Sequence, residues 1–97
     1  ILGSLFKPER FGKIIELPCL HPDDHTLLRR IGLSESQVLR TWKKSFELSN
    51  DFFIWGIHPY ICAENNERIE MFKTFLEYVI KKKGVFLTMS EIACSLF

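Results

Sequence analysis

The chain has 97 residues, of which 46% are hydrophobic and 26% charged, and its formal net charge is +1. That much apolar content excludes a mostly disordered chain. A net charge near zero excludes a strong global attraction to nucleic acid or to an anionic membrane. No run of about 18 apolar residues occurs, so we expect no membrane span.

The first residues are Ile1-Leu2-Gly3 rather than Met, and the basic residues Lys7 and Arg10 come after this apolar stretch. A signal peptide has the opposite order, so we expect the sequence to start inside a longer protein. The three cysteines, Cys19, Cys62 and Cys94, form no C-x-x-C pair. An odd number at wide spacing argues against a disulfide scaffold. We therefore expect buried structural thiols and a cytoplasmic location.

The first predicted strand covers residues 13–17 and stops at Pro18, after a lead-in of residues 1–12. Its apolar centre is typical of a strand that is buried on both faces. A short helix should follow, capped by Asp23 or Asp24 and ended by Gly32.

The second helix has a clear start, because Ser34 and Gln37 stand at capping-box spacing. Val38, Trp42 and Phe46 then recur every four residues and predict one apolar stripe. The run 52–57 should be a buried strand that ends before His58-Pro59.

Asn65 or Asn66 should cap the third helix, which is predicted to end at the lysine run 81–83 and at Gly84 as a left-handed exit residue. The lysines are explained by the helix end and need no nucleic acid. The predicted apolar stripe consists of Ile69, Phe72, Phe75, Leu76, Val79 and Ile80. A last strand, 85–89, should lead into a helix that starts at Ser90-Glu91 and runs to Phe97.

Three strand–helix units in this order predict an α/β fold with a parallel sheet. We expect a single partial domain, with residues 13–97 forming a β-α-β-α-β-α segment.

The order of residues also resembles that of a known family. It comprises Glu16-Leu17-Pro18, Asp23-Asp24, Trp42 to Phe46, Phe53, His58-Pro59 and the stretches 68–79 and 84–93, the last of which contains Glu-Ile-Ala. This order is similar to the C-terminal portion of the polysaccharide-deacetylase (NodB-homology) family over about residues 13–96. The resemblance implies an irregular (β/α) barrel that removes an acetyl group from an N-acetylated sugar. It also implies a divalent metal, zinc or similar, held by one Asp and two His in the first half of the domain. Those ligands are expected outside this chain, so the isolated chain is expected to be inactive.

His58 is the strongest catalytic candidate. It follows the apolar run 52–57, and imidazole can hold and give a proton at neutral pH. The resemblance implies that it protonates the departing amine, and the alternative is a loop histidine bonded to nearby backbone. Asp23 and Asp24 match a family loop whose carboxylate orients or tunes catalytic side chains, although either could simply cap a helix. Glu16 is expected to be structural.

His21 and His25 form a His-x-x-x-His pair, whose spacing on a helix suits zinc. The pair comes later than the metal motif of the family, and the start of a surface helix explains the same residues. We therefore expect no tight catalytic metal site in this chain, with His21 and His25 as its only candidates. Trp42, Trp55 and the phenylalanines are expected in the core rather than in a sugar site.

The sequence thus predicts the C-terminal part of a metal-dependent carbohydrate deacetylase, with a carbohydrate substrate and no nucleic-acid partner. Two alternatives stay open. One is hydrolysis of another linear or cyclic amide. The other is a non-catalytic α/β interaction module, in which exposed sheet edges pair with a partner or with a second copy as a homo-oligomer.

Overall fold

The computed structural model describes residues 9–17, 21–49 and 52–96. Within them lie two short strands and five helices: β1 (Glu9–Phe11), β2 (Ile14–Glu16), α1 (His25–Ile31, wound as a π-helix), α2 (Glu35–Leu48), α3 (Pro59–Cys62), α4 (Asn66–Lys81) and α5 (Met89–Leu96). The described part of the chain is therefore mostly helical. Its sheet has two strands and no parallel ladder.

The prediction of a parallel sheet is wrong. The predicted strand 13–17 is one arm of an antiparallel hairpin, in which Phe11 lies opposite Ile14 and Glu9 opposite Glu16. Gly12, with a φ of 62°, supplies the left-handed residue that such a tight turn favours. Ile14 is exposed, although the sequence predicted a buried strand. An apolar run favours an extended backbone but does not specify what covers it. The lead-in 1–12 thus ends in β1, and its first eight residues lie outside the described part.

The predicted strands 52–57 and 85–89 are also wrong. In the first, Trp55 forms one isolated parallel bridge with His21, and the rest of the run is irregular. In the second, residues 84–88 are irregular and Met89 already belongs to α5. A strand needs a neighbour for its ladder, and the described residues supply none for either run.

The helices begin largely as predicted. Ser34 Oγ accepts the backbone N–H of Gln37, and Gln37 Oε1 accepts that of Ser34, so the capping box of α2 is confirmed. The side chain of Asn65 accepts the N–H of Arg68 and caps α4. In α5 the box is formed by Thr88 and Glu91 instead of starting at Ser90.

The core lies between α2 and α4. Val38 and Trp42 from α2 pack with Met71, Phe75 and Val79 from α4. The predicted stripe of α4 was too wide, because Ile69 and Ile80 are exposed while Phe72 and Leu76 are partly buried. The narrower stripe has a spacing of four residues, which is the row that one neighbouring helix covers.

The C-terminus of α4 differs from the prediction in one residue. Lys83, not Gly84, takes the left-handed conformation, with a φ of 64°. Gly84 N–H donates to Val79 O at 2.8 Å and Lys83 N–H to Ile80 O at 2.9 Å, the pattern of a Schellman motif. Gly84 is required for close approach, since a Cβ there would lie 2.5 Å from Val79 Cγ1. None of the described helices has both the length and the apolar character needed to cross a bilayer.

Candidate functional site

The loop that carries Asp23 and Asp24 is held in place by two side chains. Trp42 Nε1–H donates to Pro22 O at 2.8 Å, which ties the loop to α2. His21 Nδ1 lies 2.8 Å from Ile54 O and 3.1 Å from Ile54 N, and its Nε2 lies 3.1 Å from Ser49 Oγ. These contacts fix the loop against the segment that leads to His58, so residues 34 apart in sequence meet.

Asp24 is the centre of the site and is 0% exposed. Its Oδ1 accepts the backbone N–H of His25 at 2.8 Å and lies 2.6 Å from His58 Nδ1. Its Oδ2 accepts the backbone N–H of His58 at 2.8 Å and the thiol of Cys62 at 3.2 Å. Both carboxylate oxygens therefore have two partners each.

These contacts decide the charge of Asp24. Burial alone would raise its pKa, but the hydrogen bonds from His58, Cys62 and His25 outweigh that effect and hold the pKa of Asp24 below its usual value. Asp24 is thus a carboxylate at neutral pH and accepts a proton-bearing Nδ1 of His58. Burial, followed by the hydrogen bond to Asp24 and its charge, raises the pKa of Cys62 to about 12. The thiol is therefore a neutral donor.

His58 stands at the N-cap of α3, directly before Pro59, and its side chain is 38% exposed. Its Nδ1 is held by Asp24, and its Nε2 has no hydrogen-bond partner among the described residues. The rings of His25 and Tyr60 flank it at centroid distances of 5.8 and 5.7 Å. One ring nitrogen is thus fixed inside, and the other remains available to a ligand.

Asp23 and Asp24 both take part in starting α1, so neither alternative for this pair excludes the other. Asp23 Oδ1 accepts the N–H of Thr26 at 3.0 Å, and Asp24 accepts that of His25. Burial tends to raise the pKa of Asp23, but the hydrogen bonds with Thr26 outweigh burial, so the pKa of Asp23 is below its usual value. Asp24 reaches His58 by direct contact and caps the helix as well.

A metal fits these residues poorly. One ligand atom each from Asp23, Asp24 and His58 lies within 4.8 Å of the others. Both oxygens of Asp24 and Nδ1 of His58 are already hydrogen-bonded, and Asp23 Oδ1 accepts the N–H of Thr26. His21 and His25 do not form the zinc pair considered from their spacing: His21 precedes α1 and contacts Ile54 and Ser49 through its two nitrogens. The described residues therefore do not supply the Asp-His-His set that the resemblance implies.

Glu16 lies away from the site, and Cys62 lies in it. Glu16 is exposed at the end of β2, opposite Glu9, and lies in the hairpin rather than at the site. Cys62 was expected only as a buried thiol, and it is one, whereas Cys94 is exposed and Cys19 lies outside the described residues. The signal for Cys62 was its position four residues after His58, where a helix brings the two onto one face.

No protein-family model, curated protein or solved structure matches the chain.

Proposed function

We propose that this chain is the C-terminal part of a metal-dependent carbohydrate deacetylase, and that His58 is the general acid that protonates the leaving amine. One observation carries the proposal: His58 Nδ1 lies 2.6 Å from the Oδ1 of a fully buried carboxylate, Asp24. The residue order of the polysaccharide deacetylases assigns a proton donor and an orienting acid to the same two positions. The contact between them supports that assignment independently of the order.

The pair can deliver a proton in a defined direction. Asp24 accepts the Nδ1–H of His58, fixes the ring and stabilises the imidazolium form. Nε2–H then faces the substrate. When the tetrahedral adduct collapses, the C–N bond breaks, its electron pair stays on nitrogen, and that nitrogen takes the proton from Nε2. His58 is left neutral with Nδ1–H retained. Asp24 does not take the proton, since its hydrogen bonds hold its pKa low.

The metal of the family activates the attacking water when it is bound. The described residues do not supply the ligands of that metal. The role of this chain in the reaction is therefore to donate a proton from His58 and to orient His58 through Asp24.

The test uses the full-length protein that contains this chain. His58→Ala should lower kcat for acetate release from an N-acetylated oligosaccharide by about 10²–10⁴-fold, the usual contribution of a positioned acid. On an aryl acetate, whose leaving group needs no proton, the loss should stay below about tenfold. Metal content should be almost unchanged. Because His58→Ala also removes a hydrogen-bond donor from the buried Asp24, both proteins are compared well below their unfolding temperatures.

His25→Ala is the matched control, because it removes a neighbouring imidazole and keeps the backbone N–H that binds Asp24. It should retain activity on both substrates. If His58→Ala keeps more than about half of the wild-type kcat on the acetamido substrate, His58 is not the acid. The same acid would serve the hydrolysis of other linear or cyclic amides. A substrate panel that follows acetate release against ring opening separates these reactions.

A second candidate, a non-catalytic interaction module, is supported by one different observation. Val85, Phe86 and Leu87 are exposed apolar side chains on the edge of an open groove of about 720 Å³. If this surface binds a second copy, sedimentation of the isolated chain should show a concentration-dependent dimer that Phe86→Ser weakens. A monomer at all concentrations removes the homo-oligomer version of this candidate.

A further inference from the structure

Cys62 lies on α3, one helical turn after His58, and is only 6% exposed. Its Sγ is 3.2 Å from Asp24 Oδ2, whereas the His58 ring contacts the other oxygen, Oδ1. The proposed reaction gives this buried thiol no role. Cys62 belongs to the buried core cluster, but burial alone does not account for its contact with a carboxylate.

The thiol matters because of what else binds the carboxylate. Among the described residues, the Cys62 S–H and the His58 ring are the only side-chain donors to Asp24, and the other two donors are backbone N–H groups. In a site with little water, a carboxylate shares its negative charge among its donors, and each donor weakens its attraction for the others. A substitution can remove the S–H while leaving the backbone donors in place.

We infer that Cys62 is a positioning residue of the Asp24–His58 pair, whose S–H takes up part of the Asp24 charge and so limits how tightly the carboxylate holds the Nδ1 proton of His58. A less tightly held imidazolium gives its Nε2 proton more readily. The importance of this for catalysis rests on the proposed function, but the contact and its effect on Asp24 do not.

The protonation state of the thiol supports this role. Its pKa of about 12 keeps Cys62 in the S–H form at neutral pH, so it acts as a hydrogen-bond donor and not as a nucleophile or metal ligand. The other ionisable groups around the pair are Asp23, His25, Tyr60 and Arg68. None of them makes a hydrogen bond to the Asp24 carboxylate through its side chain.

Nuclear magnetic resonance of the isolated chain tests the inference through two signals. One is the pH titration of the Asp24 carboxyl carbon, and the other is the resonance of the His58 Nδ1–H proton. In Cys62→Ala the carboxylate loses a donor. The pKa of Asp24 should therefore rise relative to wild type, and the Nδ1–H resonance should move downfield as the contact with Asp24 strengthens. Cys62→Ser keeps a donor and should restore both signals. Cys94→Ala removes the exposed thiol and should change neither.

Identical shifts in Cys62→Ala and Cys62→Ser would assign the effect to packing and overturn the inference, as would a folded Cys62→Ala without any shift. If the Cys62 variants do not fold, the Cys19→Ser/Cys94→Ser double variant leaves Cys62 as the only thiol. Its thiolate absorbance should then stay absent up to about pH 10. A thiol that ionises below about pH 9 in the folded protein is not an S–H donor to a carboxylate. Neither readout depends on activity, so the proposed deacetylase function can fail while this inference stands, and the reverse.

Discussion

The surroundings of Asp24 and the C-terminal segment 84–96 both contain a capped helix start, but they differ in how deeply their side chains are buried. Both begin a helix with side-chain caps, Asp24 and Asp23 in α1 and Thr88 with Glu91 in α5. The Asp24 carboxylate is fully buried and its four contacts are buried or partly buried, whereas Val85, Phe86 and Leu87 remain exposed. Good local signals are therefore not enough to make a region part of the core. Stability and chemistry should both concentrate at Asp24.

The largest expected effect is a loss of stability when the Asp24 carboxylate is removed. Asp24→Ala should lower the free energy of unfolding by about 3–5 kcal/mol, because it leaves buried donors of His25, His58 and Cys62 without an acceptor. Urea unfolding followed by circular dichroism measures the loss. Asp23→Ala is the control: it removes one partly exposed cap and should cost about 1 kcal/mol. Equal losses in the two variants would contradict the central role of Asp24.

A second pair of substitutions compares the regions directly, since each removes one phenyl ring. Phe75 in α4 is 0% exposed, and Phe75→Ala should cost about 3–5 kcal/mol through the cavity that it leaves. Phe86 is 57% exposed, and Phe86→Ala should change stability by no more than about 0.5 kcal/mol. Denaturant unfolding of both variants gives the two values. A loss above about 2 kcal/mol for Phe86→Ala would show that the C-terminal segment packs in solution.

The smallest expected effect is a change in the unfolding free energy at high pH, caused by Cys62. The folded protein raises the pKa of Cys62 from 9.0 to about 12, so folding favours the protonated thiol. Its contribution to stability is present below about pH 9 and is lost as the pH rises toward 12. Wild type should therefore lose more unfolding free energy than Cys62→Ser between pH 8 and 10.5, because serine does not ionise there. Unfolding curves at several pH values measure the difference. Parallel pH dependence in the two proteins would argue against the S–H contact with Asp24.

The sequence predicted features that depend on local interactions and failed for those that depend on contacts distant in the chain. The caps at Ser34 and Asn65 and the end of α1 at Gly32 depend on residues within one turn, and they were predicted correctly. The strands were not, because the runs 52–57 and 85–89 show an apolar character without showing whether a neighbouring strand exists. Lys83 took the left-handed position because Gly84 was needed one residue later, where Val79 leaves no room for a side chain.

The site follows the same division. His58 and Asp24 were singled out from residue order, but their contact spans 34 residues and depends on how Trp42 and His21 hold the loop. No local pattern encodes that arrangement. Cys62 was treated as one more buried residue, because the carboxylate that gives its thiol a partner lies 38 residues earlier in the chain.

The bond from Trp42 to Pro22 also gives the protein an internal optical probe. Trp42 is fully buried, its indole N–H is bonded to the carbonyl of the residue just before Asp23, and its ring lies 6.1 Å from that of Trp55. The emission of a tryptophan shifts to longer wavelength when its indole reaches water. Loosening of the loop that carries Asp23 and Asp24 should therefore move the emission maximum to longer wavelength before the helices unfold. Any ligand that orders or displaces this loop can be followed without a label.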